Sequence, residues 1–410
     1  MKKKLIKAAI AVAAVMMFPV LVALGFGVMF SSAVQEIYDN PMTGPISTMA
    51  LGNGTVLAVQ PDGSLWTWGM VVGRSYSQAT NPYLLLLPPE IVEIQGVVTS
   101  VSTFGVGNMS NAQNHAMAVT VDGALYGWGS NLNGQLGDGT FALQRITPVR
   151  IKENVIAVAT GQRFTVAITA DGTLWGWGDN TFGQLAVCPS ELEFSNQPIV
   201  LMEGVAAVDA GWGHVLAIAS DGALYGWGRV GGLGTGDLGI VETFEEQAQP
   251  QPARIKQDVI AIAAGITHSL AITSDGTLWA WGGNGFGQVG DGTTTFAPYP
   301  VNIKQDVIAV AASFRYSAAI SANGGLYTWG EHDRPQQAAR QDRTLPERIM
   351  DGVTQVYVGR SNTMAITADG VLYGWGGNTF GQLQDGTRTM RIRPVRIHDF
   401  ALGEHTSDDE

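Results

Sequence analysis

Seven times along the chain one eight-residue phrase returns: an acidic residue or Asn, Gly, any residue, Leu, an aromatic, any residue, Trp and Gly. It reads DGSLWTWG from Asp62, DGALYGWG from Asp122, DGTLWGWG from Asp171 and DGALYGWG from Asp221. It continues as DGTLWAWG from Asp275, NGGLYTWG from Asn323 and DGVLYGWG from Asp369. Successive starts lie 60, 49, 50, 54, 48 and 46 residues apart. A period of that length marks a supersecondary unit that cannot bury its apolar face alone and must stack on its neighbours. The repeat occupies the chain from about Ile46 to His398, which makes one large domain of most of its 410 residues.

One copy shows what the unit is. VIAVATGQRFTVAITADGTLWGWG from Val155 reads as a strand of small residues, a turn at Gly161, the strand FTVAIT, a two-residue Asp171-Gly172 hairpin turn and the aromatic strand. A fourth piece follows after a loop and is expected to open with proline: Pro89, Pro148, Pro198, Pro252, Pro300, Pro346 and Pro394. Proline cannot donate to a sheet ladder, so the start of an outer edge strand suits it. The 53 glycines fit many short strands and tight turns and fit a helical bundle poorly. Four strands in each of seven repeats predict an all-β, seven-bladed propeller.

Alternation along the aromatic strand sends Leu174 and Gly176 to one face and Trp175 and Trp177 to the other, where they are expected to stack between blades. The gap between neighbouring sheets widens outward and takes large groups there, while small residues such as AVAT suit the crowded axis. Ten of the eleven tryptophans occupy this motif, and the exception, Trp212, lies in the turn GWGH, where the repeat requires none.

The phrases LYGWGSNLNGQLGDGT from Leu125 and LWAWGGNGFGQVGDGT from Leu278 carry a resemblance to the regulator of chromosome condensation (RCC1-like) repeat family, over about Ile46 to His398. The resemblance implies a seven-bladed propeller and leaves function open, because the family includes exchange factors, scaffolds and secreted inhibitors. Among exported relatives the chain looks like the β-lactamase-inhibitory propellers, which implies loops at one end of the ring that grip another protein. Two repeats depart from the pattern: EHDRPQQAA from Glu331 and VVGRSYSQAT from Val71 lack the GQLGDGT tail, so reshaped outer loops are expected in those blades.

Residues 1–30 form a separate object, with four lysines ahead of an uncharged apolar run from Ala8 to Phe30 that is long enough to span a bilayer. The lysines predict a cytoplasmic N-terminus and repeats outside, either anchored by this hydrophobic helix or released by cleavage near Ala33, where Ser31 and Ser32 supply small residues. Residues 31–45 read as a linker, 46–398 as the propeller and 399–410 as an acidic tail. The net charge of −12 becomes −16 if the four leader lysines leave (−12 − 4), and no basic cluster exists outside the leader, which argues against nucleic acid as a partner. A single cysteine, Cys188, excludes an intrachain disulfide.

Candidate chemistry is thin. His115, His214 and His268 share one register, seven residues before Asp122, Asp221 and Asp275, but Thr55, Phe164, Tyr316 and Asn362 fill it elsewhere, so turn-bonding histidines are favoured over a metal set. Asp138, Asp291 and Asp385 of the DGT tails lack the spaced oxygen ligands of a calcium loop. TADGTLW echoes a sialidase Asp-box yet misses a residue between Asp and Gly, and no concentrated set of arginine, tyrosine and paired carboxylates accompanies it. Cys188 precedes Pro189 with no histidine nearby in sequence. The expectation is a monomeric, non-catalytic propeller without cofactor or metal, outside the cytoplasmic membrane, contacting the membrane through its N-terminal helix alone. An extracellular hydrolase or carbohydrate-binding propeller is the alternative.

What varies while the scaffold repeats is the turn after each small-residue strand: GNG at Gly52, GVGNMSNAQN at Gly105, GQRF at Gly161, GWGH at Gly211, GITH at Gly265, SFRY at Ser313 and GRSN at Gly359. These turns are expected at one end of the ring, placing Arg163, Phe164, Trp212, Ile266, Phe314, Arg315, Tyr316 and Arg360 around the axial opening. Aromatics mixed with arginine are the composition of protein-binding hot spots, so a protein partner is expected there.

Overall fold

A computed structural model describes residues 46–70, 72, 89–104, 114–236, 248–331 and 343–397. The hydrophobic leader, the linker and the acidic tail lie outside the described residues, as do most of the two divergent tails and the Gly105 turn. The described residues form 28 strands in seven four-stranded antiparallel sheets, each a continuous stretch of chain: 48–91, 98–152, 155–202, 205–256, 259–304, 307–350 and 353–396. We number these blades 1 to 7. Each innermost strand lies against the innermost strands of both neighbouring blades, and that of blade 1 lies against that of blade 7, so the ring closes. The seam falls between blades rather than inside one.

Apolar side chains gather in separate clusters between successive blades instead of in one central body. Phe164, Val166 and Ile168 of blade 3, for instance, pack on Val205, Val215 and Trp227 of blade 4. The two aromatics of the motif divide the work. Trp177 is fully buried and its indole N–H donates to the Gln135 carbonyl in the tail of blade 2 at 3.0 Å. Trp175 is half-buried, covered by Lys152 Nζ 3.5 Å from its ring centre. The same indole-to-carbonyl latch joins Trp227 to Gln184, Trp281 to Gly232, Trp329 to Gln288 and, across the seam, Trp68 to Gln382.

Two local expectations change. The hairpin turn has three residues, Ala170-Asp171-Gly172: Thr169 N–H bonds the Thr173 carbonyl, Gly172 N–H bonds the Thr169 carbonyl, and Gly172 takes φ +81°. That is a type I turn closed by a left-handed residue, which demands glycine. Pro89 directly precedes its outer strand, Glu90–Ile91, but the other six prolines do not open theirs. Pro198 lies within Phe194–Met202, where pairing jumps from Gly178↔Ser195 to Gly176↔Ile199, and Pro148, Pro252, Pro300, Pro346 and Pro394 occupy the same place in their blades. A bulge in an edge strand leaves ladder positions unpaired, so a residue without an N–H costs nothing there.

Candidate protein-binding face

Antiparallel order fixes which segments share an end of the ring. The turns from first to second strand and the tails leaving the third strand emerge at one end, and the DG hairpins emerge at the other. The described turns at Gly52, Gly161, Gly211, Gly265, Ser313 and Gly359 therefore do share an end.

Two stacks of aromatic rings and guanidinium groups form there. Trp212 lies 5.3 Å from Phe182 of the neighbouring tail, and Arg229 covers the Trp212 ring at 4.7 Å and the Phe182 ring at 5.4 Å. Arg315 lies 3.8 Å over Phe286 and 4.7 Å over Phe314, and Arg360 lies 5.0 Å over Phe314. Arg315 also meets Glu331 at 3.4 Å. Cation–π contact holds these side chains in place while the edges of the guanidinium fork remain suited to carboxylates. Burial lowers the Arg229 pKa, and burial, followed by the neighbouring Arg315 charge, lowers that of Arg360. At the opposite end Asp62, Asp122, Asp171, Asp221, Asp275 and Asp369 are exposed at the hairpins.

Of the eight residues picked from sequence, Trp212, Phe314, Arg315 and Arg360 enter these stacks. Arg163, Ile266 and Tyr316 are half-buried at their turns. Phe164 is a correction: its ring is fully buried in the cluster between blades 3 and 4, and a Cβ at Gly161 would collide with it. The stack members Phe182, Arg229 and Phe286 were missed. They belong to the tails and the end of the third strand, which read as scaffold, and their only sequence signal is their distance in blade geometry from the turns.

The histidine register is a latch between blades rather than a turn bond. His115 Nε2 meets Thr165 Oγ1 at 2.9 Å, His214 Nε2 meets Ser269 Oγ at 3.1 Å and His268 Nε2 meets Ser317 Oγ at 2.9 Å, in each case in the next blade. Each hydroxyl spends its hydrogen on a tail carbonyl, Thr165 on Gln135, Ser269 on Gly232 and Ser317 on Gln288, so each histidine must donate through Nε2. Burial pushes the pKa values of His115 and His268 down to about 3 and that of His214 to about 4. Asn362 holds this register in blade 7, but blade 1 presents Val56 where the blades that face the three histidines present Thr165, Ser269 and Ser317, and both polar atoms of the buried Asn362 amide go without a hydrogen bond.

The DGT tails stabilise themselves. Asp138 accepts from Thr140 N–H at 3.0 Å, Asn131 Nδ2 at 2.8 Å and Arg145 Nε at 2.8 Å, and Asp385 repeats the pattern with Thr387, Asn378 and Arg391. Among the described residues no group of three or more His, Cys, Asp or Glu is placed to hold a metal ion.

A seven-bladed propeller latched tail to tryptophan and carrying variable turns at one end defines a repeat scaffold class whose function lies in its turns and not in its fold. The chain matches the Regulator of chromosome condensation (RCC1) repeat over residues 122–168, 171–218, 221–272 and 275–320, and a second form of that repeat over 155–184, 259–288 and 353–382. Together these cover more than half of the chain, which is a member of the RCC1 repeat family. It is 30% identical over 174 residues to the ultraviolet-B receptor UVR8 of Arabidopsis thaliana, across 40% of this chain and 39% of that protein. It is 27% identical over 353 residues to the human E3 ubiquitin-protein ligase HERC2, across 84% of this chain but 5% of the ligase. The chain thus spans well under half the length of these curated relatives. Yeast Prp20, in a structure bound to Kap60, superposes with a TM-score of 0.65 at 20% identity over 88% of this chain and 86% of its own, which establishes the shared fold. Another Prp20 structure is described together with binding to Gsp1p and histones.

Proposed function

We propose that this propeller is a non-catalytic binding module displayed outside the cytoplasmic membrane, and that its turn-bearing end grips a protein partner whose contact surface is acidic. The observation that carries the reading is the pair of aromatic–arginine stacks, Trp212 with Arg229 and Phe314 with Arg315 and Arg360, gathered at one end of a chain whose net charge is −12. Rigid aromatics and held arginines are hot-spot chemistry, and like charge at the hairpin end steers an acidic partner away from it. Prp20 supports the reading as a propeller of the same fold that binds proteins. The membrane placement rests on the leader lysines and apolar run alone. Asp209 is the one carboxylate among the described residues lining the axial channel, where glycoside hydrolysis needs two flanking the scissile bond.

The test is capture by the immobilised full chain followed by affinity measurement on what is captured. Arg229→Glu and Arg315→Glu should each weaken binding by about 2 kcal/mol or more and flatten its salt dependence. Arg150→Glu, at the hairpin end, should change neither. Equal losses from all three variants would remove the face from consideration.

A further inference from the structure

The axial channel is a space that the binding face does not use. It holds about 230 Å³ and is walled by residues of all seven innermost strands, among them Leu51, Thr103, Thr160, Ala264, Ala312 and Val358. These are small or apolar. Among the described lining residues the titratable ones are Asp209 and Tyr357, with no Lys, Arg or His.

Asp209 is half-buried in this wall. Its Oδ2 accepts the Ala264 N–H of the next blade at 2.8 Å and its Oδ1 accepts the Ala210 N–H at 2.9 Å. The inter-blade bond explains why an oxygen stands here but not why it is charged. Two blades earlier Ser102 occupies the same register and accepts the Thr160 N–H at 3.0 Å with a neutral hydroxyl. Ala159, Ala263 and Ala311 fill the register in three other blades. The charge is therefore surplus to the architecture. Burial pushes the carboxyl up to about 6 in spite of its two backbone donors, so the ionised form lacks a countercharge. An uncompensated carboxylate in a low-dielectric cavity attracts a cation that can reach it.

We infer that the axial channel is a binding site for an ammonium or guanidinium group, with the Asp209 carboxylate as its counter-ion and the surrounding alanine and valine side chains packing the attached carbon chain. The group belongs either to a small amine or to a lysine or arginine inserted along the axis by a protein. This site is independent of the aromatic–arginine stacks, and either reading can fail without the other.

The test titrates the full chain with ethylammonium or ethylguanidinium chloride, and in a parallel arm with a Gly-Lys-Gly peptide, against sodium chloride of equal ionic strength. Expected is a saturable rise in melting temperature and a displaced Asp209 carboxyl NMR resonance. Asp209→Ser, which copies Ser102, and Asp209→Asn should bind about tenfold more weakly or worse. Binding by the ethyl probes supports a small-amine site, and binding by the peptide alone supports an inserted side chain. No saturable effect from any probe, or equal effects in wild type and Asp209→Ser, would overturn the inference. If both variants fail to fold, the wild-type Asp209 resonance decides: one that does not move with any probe sinks it.

Discussion

Trp177 and Trp212 show how one residue type serves two purposes. Trp177 is sealed between blades with its indole hydrogen-bonded to Gln135, whereas Trp212 lies half-buried at the end of the ring between Phe182 and Arg229. Truncating the first opens a cavity and removes one of the two donors to the Gln135 carbonyl, so Trp177→Ala should cost about 3–5 kcal/mol in chemical denaturation. Trp212→Ala forfeits one tilted ring contact and one cation–π contact, which sets its cost nearer 1 kcal/mol. Its larger effect should appear in partner affinity. Equal melting losses in the two variants would make Trp212 a core filler and leave the face without its central aromatic.

The blade-to-blade junction is the element that repeats, and its variation across the seam is informative. At three junctions a histidine reaches a hydroxyl that in turn reaches a tail carbonyl; at the seam Asn362 faces blade 1, where Val56 stands in place of the hydroxyl. Val56→Thr supplies the missing group in the register of Thr165, within the same arrangement that lets Thr165 bond Gln135. A buried amide left unsatisfied is costly, and satisfying it should raise stability by about 1 kcal/mol. The same substitution in an Asn362→Ala background should gain nothing, so a double-mutant cycle on unfolding free energies separates the latch from a general effect of threonine.

For the whole molecule the buried histidines set the response to acid. Their folded pKa values lie near 3 to 4, below the ordinary 6.5, so the unfolded chain takes up protons that the folded ring refuses. Their contribution is complete above about pH 6.5 and is lost as pH falls toward the folded values. At pH 5 each should cost about 2 kcal/mol relative to neutral pH. Asp209 works in the opposite sense, because an acid raised to about 6 favours the folded state as pH falls below that value. Three histidines outweigh one carboxyl, so the melting temperature should drop between pH 7 and pH 5. His115→Gln with His268→Gln should flatten that drop, and an unchanged pH profile in the double variant would show that the acid response lies elsewhere.

The sequence by itself determined the strand period, the blade count and the tryptophan wall, because each follows from local alternation repeated at a constant interval. It also isolated Trp212 as the tryptophan outside the pattern. Beyond that wall it did not hold which side chains of neighbouring blades meet. Proline marked each outer strand, but its place in a bulge appears only when pairing with the third strand is known. Phe164 looked like a turn residue facing outward until blade 4 closed over it. Phe182, Arg229 and Phe286 read as scaffold, and Asp209 as one polar residue in a strand of alanine and valine. Closing the ring decided their roles, because it sets tails of one blade against turns of the next and turns seven separate strand faces into one channel wall.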